Sequence, residues 1–208
     1  MISFQEKSCQ NKAMSPSRRL VLASTSPYRR ELLARLGLGF ECARPQTDET
    51  PFTDESPAET ALRLAAGKAQ TVAGAWPGAL IIGSDQVASL DGVRLDKPGS
   101  HENAVRQLTF ASGRTVQFDT AVALLDAASG EMRSALVPCA VTFRRLDAAT
   151  IEAYLRREQP YDCAGSAKSE GLGIALIERI DTADPTSLVG LPLIALTGLL
   201  AQAGVAVV

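Results

Sequence analysis

The residues able to do chemistry in this chain are acids, bases and hydroxyls. Ser24-Thr25-Ser26-Pro27-Tyr28-Arg29-Arg30 places hydroxyls and two arginines where a short apolar run turns into a helix. A helix N-terminus has unpaired N–H groups and partial positive charge, so acids usually occupy its first turn. Arg29 and Arg30 oppose that preference, which fits an anion such as a phosphate bound at the turn; the alternative is a solvated helix start with surface arginines. Asp85 comes just after the apolar run Leu80-Ile81-Ile82. An acid at the end of a buried strand is costly unless hydrogen-bonded or bound to a cation, and strand ends of α/β sheets are where ligands sit. Asp48 and Glu49, taken alone, read as loop acids. The stretch Cys163–Gly173 offers glycines, serines and Lys168 whose backbone could approach a phosphate. It lacks the Gly-Lys-Ser/Thr ending of a Walker A loop and reads equally well as a flexible loop. Lys68 and Lys97, one at a time, read as solvated surface lysines.

Other chemistries are excluded by composition. The chain of 208 residues has one histidine, His101, so a multi-His zinc site cannot form, and a Ser-His-Asp triad would need that residue as its base. His101 sits in a first helical turn and reads as exposed and without a role. Cys9, Cys42, Cys139 and Cys163 are far apart with no C-x-x-C pair, which argues against a thiolate metal site and for reduced thiols in the cytoplasm. Lys and Arg number 21 against 23 Asp and Glu, a balance unlike that of a nucleic-acid polymer or membrane-surface binder. Catalysis in such a chain rests on carboxylates, lysines, arginines and a hard metal ion.

The elements that must position these groups alternate between strand and helix. Leu20–Ala23 reads as a strand, followed by a helix capped by Ser26 with Pro27 at its first position and stopped at Gly37. Ser56-Pro57-Ala58-Glu59 is a capping box opening a helix to about Gly74. Leu80–Ile82 is a buried strand that Gln86–Leu90 continues or pairs with. Ser100 opens a helix to Gly113, Thr115–Asp126 and Glu131–Phe143 form a long hairpin, and Asp147 opens a helix ended by Pro160. Ile174–Ile180 reads as a strand, Pro192 begins a terminal helix, and Val205–Val208 reads as a last strand. The apolar C-terminal stretch is broken by Gly198, Gln202 and Gly204 and is not a membrane span. Residues 1–18 are polar and read as a disordered leader, and 19–208 as a single domain with two lobes. The expected class is α/β, a long mixed β-sheet flanked by helices around a central cleft.

From Arg19 onward the chain resembles the Maf-like nucleoside triphosphate pyrophosphatases. The carriers are Leu20–Arg30, Asp48-Glu49-Thr50, Lys68-Ala69, Ile82–Gln86, Asp96-Lys97-Pro98, Ala164–Gly171 and Leu188–Pro192, in family-like order and spacing. The resemblance implies a sheet of Maf/ITPase type and hydrolysis of a nucleoside triphosphate to monophosphate and pyrophosphate with Mg²⁺ or Mn²⁺. It assigns the triphosphate to Ser24, Arg29 and Arg30, with Lys68, Lys97 and Lys168 adding charge. Glu49 and Asp85 would sit by the metal, and Asp85 would take the proton of the attacking water. This agrees with the chemistry, since phosphoryl transfer needs positioning and charge neutralisation more than covalent help.

Three positions refine the substrate. The branch acting on dTTP and UTP typically has Arg, Thr and Gln where this chain has Tyr28, Gln86 and Glu170, so the chain resembles the 7-methyl-GTP branch instead. N7-methylation makes guanine cationic, and an aromatic face attracts what an arginine would repel. Glu170 could accept hydrogen bonds from the guanine edge. Tyr28 departs from the Trp frequent in that branch, and Asp96 from the Gly frequent before the lysine. The competing readings are a dTTP/UTP pyrophosphatase and a non-catalytic nucleotide-binding regulator of septum formation. The implied partner is a small nucleotide, with a homodimer suggested by the family.

Overall fold

In the computed structural model, residues 18–208 are described. The expected leader, Arg18 apart, lies outside the described residues. Arg18 itself donates to Asp126 Oδ2 at 2.7 Å and so packs with the sheet.

Strand β1 (Leu20–Ala23) lies parallel to β2 (Glu41–Ala43) on one side and to β3 (Leu80–Leu90) on the other. Parallel neighbours need crossovers, and helices α1 (Pro27–Ala34) and α2 (Pro57–Ala73) supply them. Beyond β3 the sheet is antiparallel: β5 (Thr115–Asp126), β6 (Met132–Phe143) and β7 (Ile177–Thr182) follow, while the short β4 (Val93–Arg94) folds back on the end of β3. The result is a mixed seven-stranded sheet of order β2-β1-β3-β5-β6-β7.

Local signals formed as their chemistry dictates. Ser26, Ser56, Ser100 and Asp147 all accept from a backbone N–H in the first turn of their helices, and Ser56 with Glu59 makes the reciprocal capping box. Packing divides the sheet lengthwise. Alternate residues of β3 face opposite sides, Leu80 and Ile82 packing with Leu33, Leu124 and α5 (Leu193–Gln202), and Ile81 with Ala69 and Val72 of α2. Further along the same strand Ala88 and Leu90 join Phe118, Val141 and Phe143 under α3 (His101–Ala111) and α4 (Ala148–Glu158). These are the two lobes, and β3, β5 and β6 run through both.

Three expectations are corrected. Asp85 does not end a strand: β3 continues unbroken to Leu90 because β5 pairs it throughout, with Asp85 opposite Ala121. On the other edge β1 stops alongside Ile82, so the acid lies past the end of its neighbour. Ile174 does not begin a strand either; Leu172–Leu176 is a 3₁₀ turn folded tightly on Lys168, where a Cβ on Gly173 would lie 2.5 Å from the Lys168 carbonyl oxygen. Val205–Val208 forms no strand, because the Val205 N–H goes back to Leu200 O (2.9 Å) in the turn that ends α5 at Gly204, whose φ is +81°. Among the described residues no helix is long and apolar enough to cross a membrane.

Candidate active site

Where β1 ends and β3 continues, one edge of β3 is left uncovered, and Asp85, Gln86, Val87 and Ala88 become the floor of a cleft of about 600 Å³. That volume suits a nucleotide-sized ligand. One wall is the β1–α1 turn with Ser24, Tyr28 and Arg29; the others are the 94–97 and 162–170 segments and the 188–190 turn.

The centre of the cleft depends on a close approach of α2 to β3. Gly83 has no side chain, and a Cβ there would sit 2.0 Å from the Ala65 carbonyl oxygen. Two residues along β3 from Gly83 is Asp85, and one turn along α2 from Ala65 is Lys68, so the contact brings these two side chains together. Lys68 Nζ lies 2.6 Å from Asp85 Oδ1 and 2.7 Å from Glu49 Oε1. Both Lys68 (6% exposed) and Asp85 (7%) are buried, which overturns the reading of Lys68 as a surface lysine: an alanine-rich helix is what packs tightly on a sheet, and its lysine is buried with it. Burial alone would raise the pKa of Glu49, but the hydrogen bond and charge of Lys68, helped by Lys97 and Arg29, hold it below the usual carboxylate range.

Arg29 is fixed by its Nε donating to Gly190 O at 2.8 Å. Burial lowers its pKa while Asp85 and Glu49 act against that, and a guanidinium stays charged throughout. Ser24 is buried, with Oγ accepting from Ser26 N at 3.1 Å, and Lys97 is exposed on the wall. Arg30 is exposed and does not line the cleft, and neither does Lys168. The expected phosphate-binding set thus divides: Ser24, Arg29, Lys68 and Lys97 meet, while Arg30 and Lys168 stand apart.

A second group of side chains surrounds Tyr28. Its hydroxyl donates weakly to Asp162 Oδ2 (3.5 Å), and Glu170 lines the same cleft. Burial raises the pKa of the Tyr28 hydroxyl, and Cys163, Asp162 and Glu170 push it further up. Cys163 is itself pushed up to about 12, by burial first and then by Asp162 and Glu170. Lys168 stands 5.4 Å from the Tyr28 ring centre, but its charge is matched by Glu158 at 3.2 Å. Asp162 and Glu170 have no ion-pair partner among the described residues. Gln86 directs its amide at Thr120 Oγ1 (2.9 Å) and the carbonyls of Ser187 (2.9 Å) and Leu188 (3.1 Å), tying the 187–190 turn to the floor.

Arg44, Arg94 and Asp162 line the cleft as well, and sequence reasoning passed over all three. Arg94 and Asp96 form an ion pair at 2.6 Å, a spacing visible in the sequence; Arg44 and Asp162 carry no local signal. His101 also differs from expectation: its Nδ1 is 3.0 Å from Tyr161 Oη and its Nε2 2.8 Å from Glu152 Oε2, a half-buried bracket between helices. Cys42, Cys139 and Cys163 are free thiols.

The donor set fits a hard divalent cation. Asp85 and Glu49 each give one oxygen to Lys68, and the second oxygen of each has no protein partner among the described hydrogen bonds. Among the described residues no group of three or more His, Cys, Asp or Glu converges. Two carboxylates with the remaining positions left to water and phosphate oxygens is the way Mg²⁺ is commonly held.

The sequence profile described as Maf-like protein matches residues 19–203. A protein of Cupriavidus pinatubonensis named 7-methyl-GTP pyrophosphatase is 58% identical over 190 residues, covering 91% of this chain and 96% of that one. Its namesake in a Polaromonas species is 60% identical over 195 residues, 93% of this chain and 89% of the relative. A solved HAM1 protein from Coxiella burnetii overlaps 76% of this chain and 91% of its own at 15% identity and a TM-score of 0.45, a likeness too loose to carry an argument. A family match spanning the whole sheet and every wall of the cleft, with relatives above half identity, places this chain in the Maf-like family.

Proposed function

We propose that this chain hydrolyses 7-methyl-GTP to 7-methyl-GMP and pyrophosphate, keeping a modified nucleotide out of the pool. The observation that carries this reading is the division of one cleft into two electrical regions. Around Asp85, the cations Arg29, Lys68 and Lys97 gather where a triphosphate would lie. Around Tyr28, Asp162 and Glu170 line the cleft with no ion-pair partner among the described residues, while the nearby Lys168 is matched by Glu158, surroundings a cationic base prefers. The names of the relatives agree.

In this reading a water attacks the α-phosphorus, the bond to the β-phosphate bridging oxygen breaks, and pyrophosphate leaves. Asp85 accepts the water's proton, its carboxylate aimed by Lys68. Arg29 and Lys97 take up the charge of the phosphates, Arg29 pre-set by the Gly190 carbonyl so that it need not reorganise. Asp85 and Glu49 would hold Mg²⁺ or Mn²⁺, whose charge further neutralises the triphosphate. Free thiols fit the reducing cytoplasm, and a homodimer is the assembly the family suggests.

Pyrophosphate release from 7-methyl-GTP, GTP, UTP and dTTP, with Mg²⁺ or Mn²⁺, tests this reading. The highest kcat/KM is expected for 7-methyl-GTP. A preference for dTTP or UTP would overturn the assignment of the base region, and no turnover of any triphosphate would leave a nucleotide binder.

A further inference from the structure

Glu49 lies between β2 and α2 on a segment without regular structure, so nothing in a strand or helix ladder holds it over Asp85. Helix α2 offers two seats for that segment. At Gly67 the Thr47 methyl packs so closely that a Cβ would lie 3.3 Å from Thr47 Cγ2. One turn earlier, on the same face, is Arg63. Its guanidinium forks onto Glu55 (Nε–Oε1 2.6 Å, Nη2–Oε2 2.7 Å), and Nη2 also donates to the Thr50 carbonyl at 3.1 Å. The same group lies 4.0 Å from the centre of the Phe52 ring. Glu55 in turn accepts from Phe52 N (3.1 Å) and Thr60 Oγ1 (3.0 Å), and Asp48 closes the bend by accepting from Thr50 N at 2.9 Å.

Glu49 therefore lies, with Asp48, between two anchors, Thr47 and Thr50, each seated on α2. Arg63 is not on the cleft wall. What the fork does is fix direction, since a planar guanidinium holding a carboxylate at two points and a carbonyl at a third leaves the loop little freedom. We propose that Arg63 is a positioning residue that acts through Glu49, clamping the segment that presents this carboxylate to the reacting phosphates and their cation. The proposal rests on the hydrolytic reading of the cleft.

The test is a double-mutant cycle on kcat at saturating 7-methyl-GTP. Arg63→Ala is expected to lower kcat about 10- to 100-fold, as supporting contacts of ligand carboxylates do. The preference for 7-methyl-GTP over GTP should stay as in the unmodified protein, and Arg63→Lys should restore part of the loss. In a Glu49→Gln background the further loss from Arg63→Ala should shrink to less than about twofold, the mark of residues acting as one unit. An equal loss in both backgrounds would overturn the proposal. If Arg63→Ala does not fold, Arg63→Lys and Glu55→Gln run the same cycle. Amide hydrogen exchange over residues 47–55 must also rise in the Arg63 variants, and unchanged exchange would overturn the clamp whatever the kinetics. Unmodified protein that turns over no triphosphate sinks the hydrolytic reading instead, and exchange alone then judges the clamp.

Discussion

Asp85 and Lys68 hold each other buried beside an open cleft, so removing the charge of either leaves the other exposed to a cost the pair now offsets. Asp85→Asn should keep the side-chain shape and lose about 10²- to 10⁴-fold in kcat, the range of a lost general base; full activity would show that the proton goes elsewhere. The base region makes a separate prediction. Asp162→Asn and Glu170→Gln should each lower kcat/KM for 7-methyl-GTP more than for GTP, because only the methylated base carries the charge those acids attract. Equal losses for both nucleotides would remove the electrostatic argument. The pKa of Glu49 lies below its ordinary value, so its link to Lys68 stabilises fully above the unfolded value and weakens as pH falls through the folded one. The difference in Tm between the unmodified protein and Glu49→Gln should thus stay level from about pH 8 to 5 and shrink below about pH 4. Cys163 lines the cleft, yet a thiol pushed up to about 12 is poorly nucleophilic at neutral pH; iodoacetamide at pH 8 should alkylate the exposed Cys42 well before it.

At the scale of elements, two contacts set the cleft. Gly83 fixes the distance of α2 from β3, and no side chain fits where backbone already stands at 2.0 Å. Gly83→Ala should cost about 3 kcal/mol or more in denaturant unfolding, beyond an ordinary helix or strand substitution, since backbone rather than a mobile side chain must give way. The second contact is Asp184, buried at 2% exposure. It accepts from Ile194 N (2.7 Å) and Ala195 N (3.2 Å) and caps α5, whose own N-cap is a proline with no side chain to do so. Its other oxygen takes the Thr186 hydroxyl at 2.7 Å, at the start of the turn whose carbonyls hold Gln86 and Arg29. Asp184→Ala should therefore destabilise by about 2–4 kcal/mol, the sum of a lost cap and donors left unmet.

Across the whole molecule, the two lobes share their long strands. β3 and β5 carry residues of both hydrophobic clusters on unbroken backbone, and no linker separates the lobes. Thermal unfolding should give one transition, with the near-ultraviolet signal of Trp76 in one lobe coinciding with the far-ultraviolet signal of the whole chain. Two separated transitions would show lobes that fold by themselves. The formal charge of −2 conceals the internal arrangement, in which cations collect near Asp85 and the acids Asp162 and Glu170 line the cleft with Tyr28.

Much of this was legible in the sequence because it is local. The caps at Ser26, Ser56, Ser100 and Asp147, the apolar runs of β1 and β3 and the long hairpin depend on near neighbours, and such signals survive folding unchanged. The choice of acids, lysines and arginines over imidazole and thiolate was equally fixed by composition. What sequence could not decide was which charges meet. Lys68 and Arg30 look alike as residues, yet one is buried against Asp85 and the other faces solvent. Asp162 and Arg44 enter the cleft from loops, and Arg63 supports it from α2 by holding the loop that carries Thr50. A carboxylate's role depends on its burial and on its partners, and both are properties of the assembled sheet rather than of any short stretch of chain.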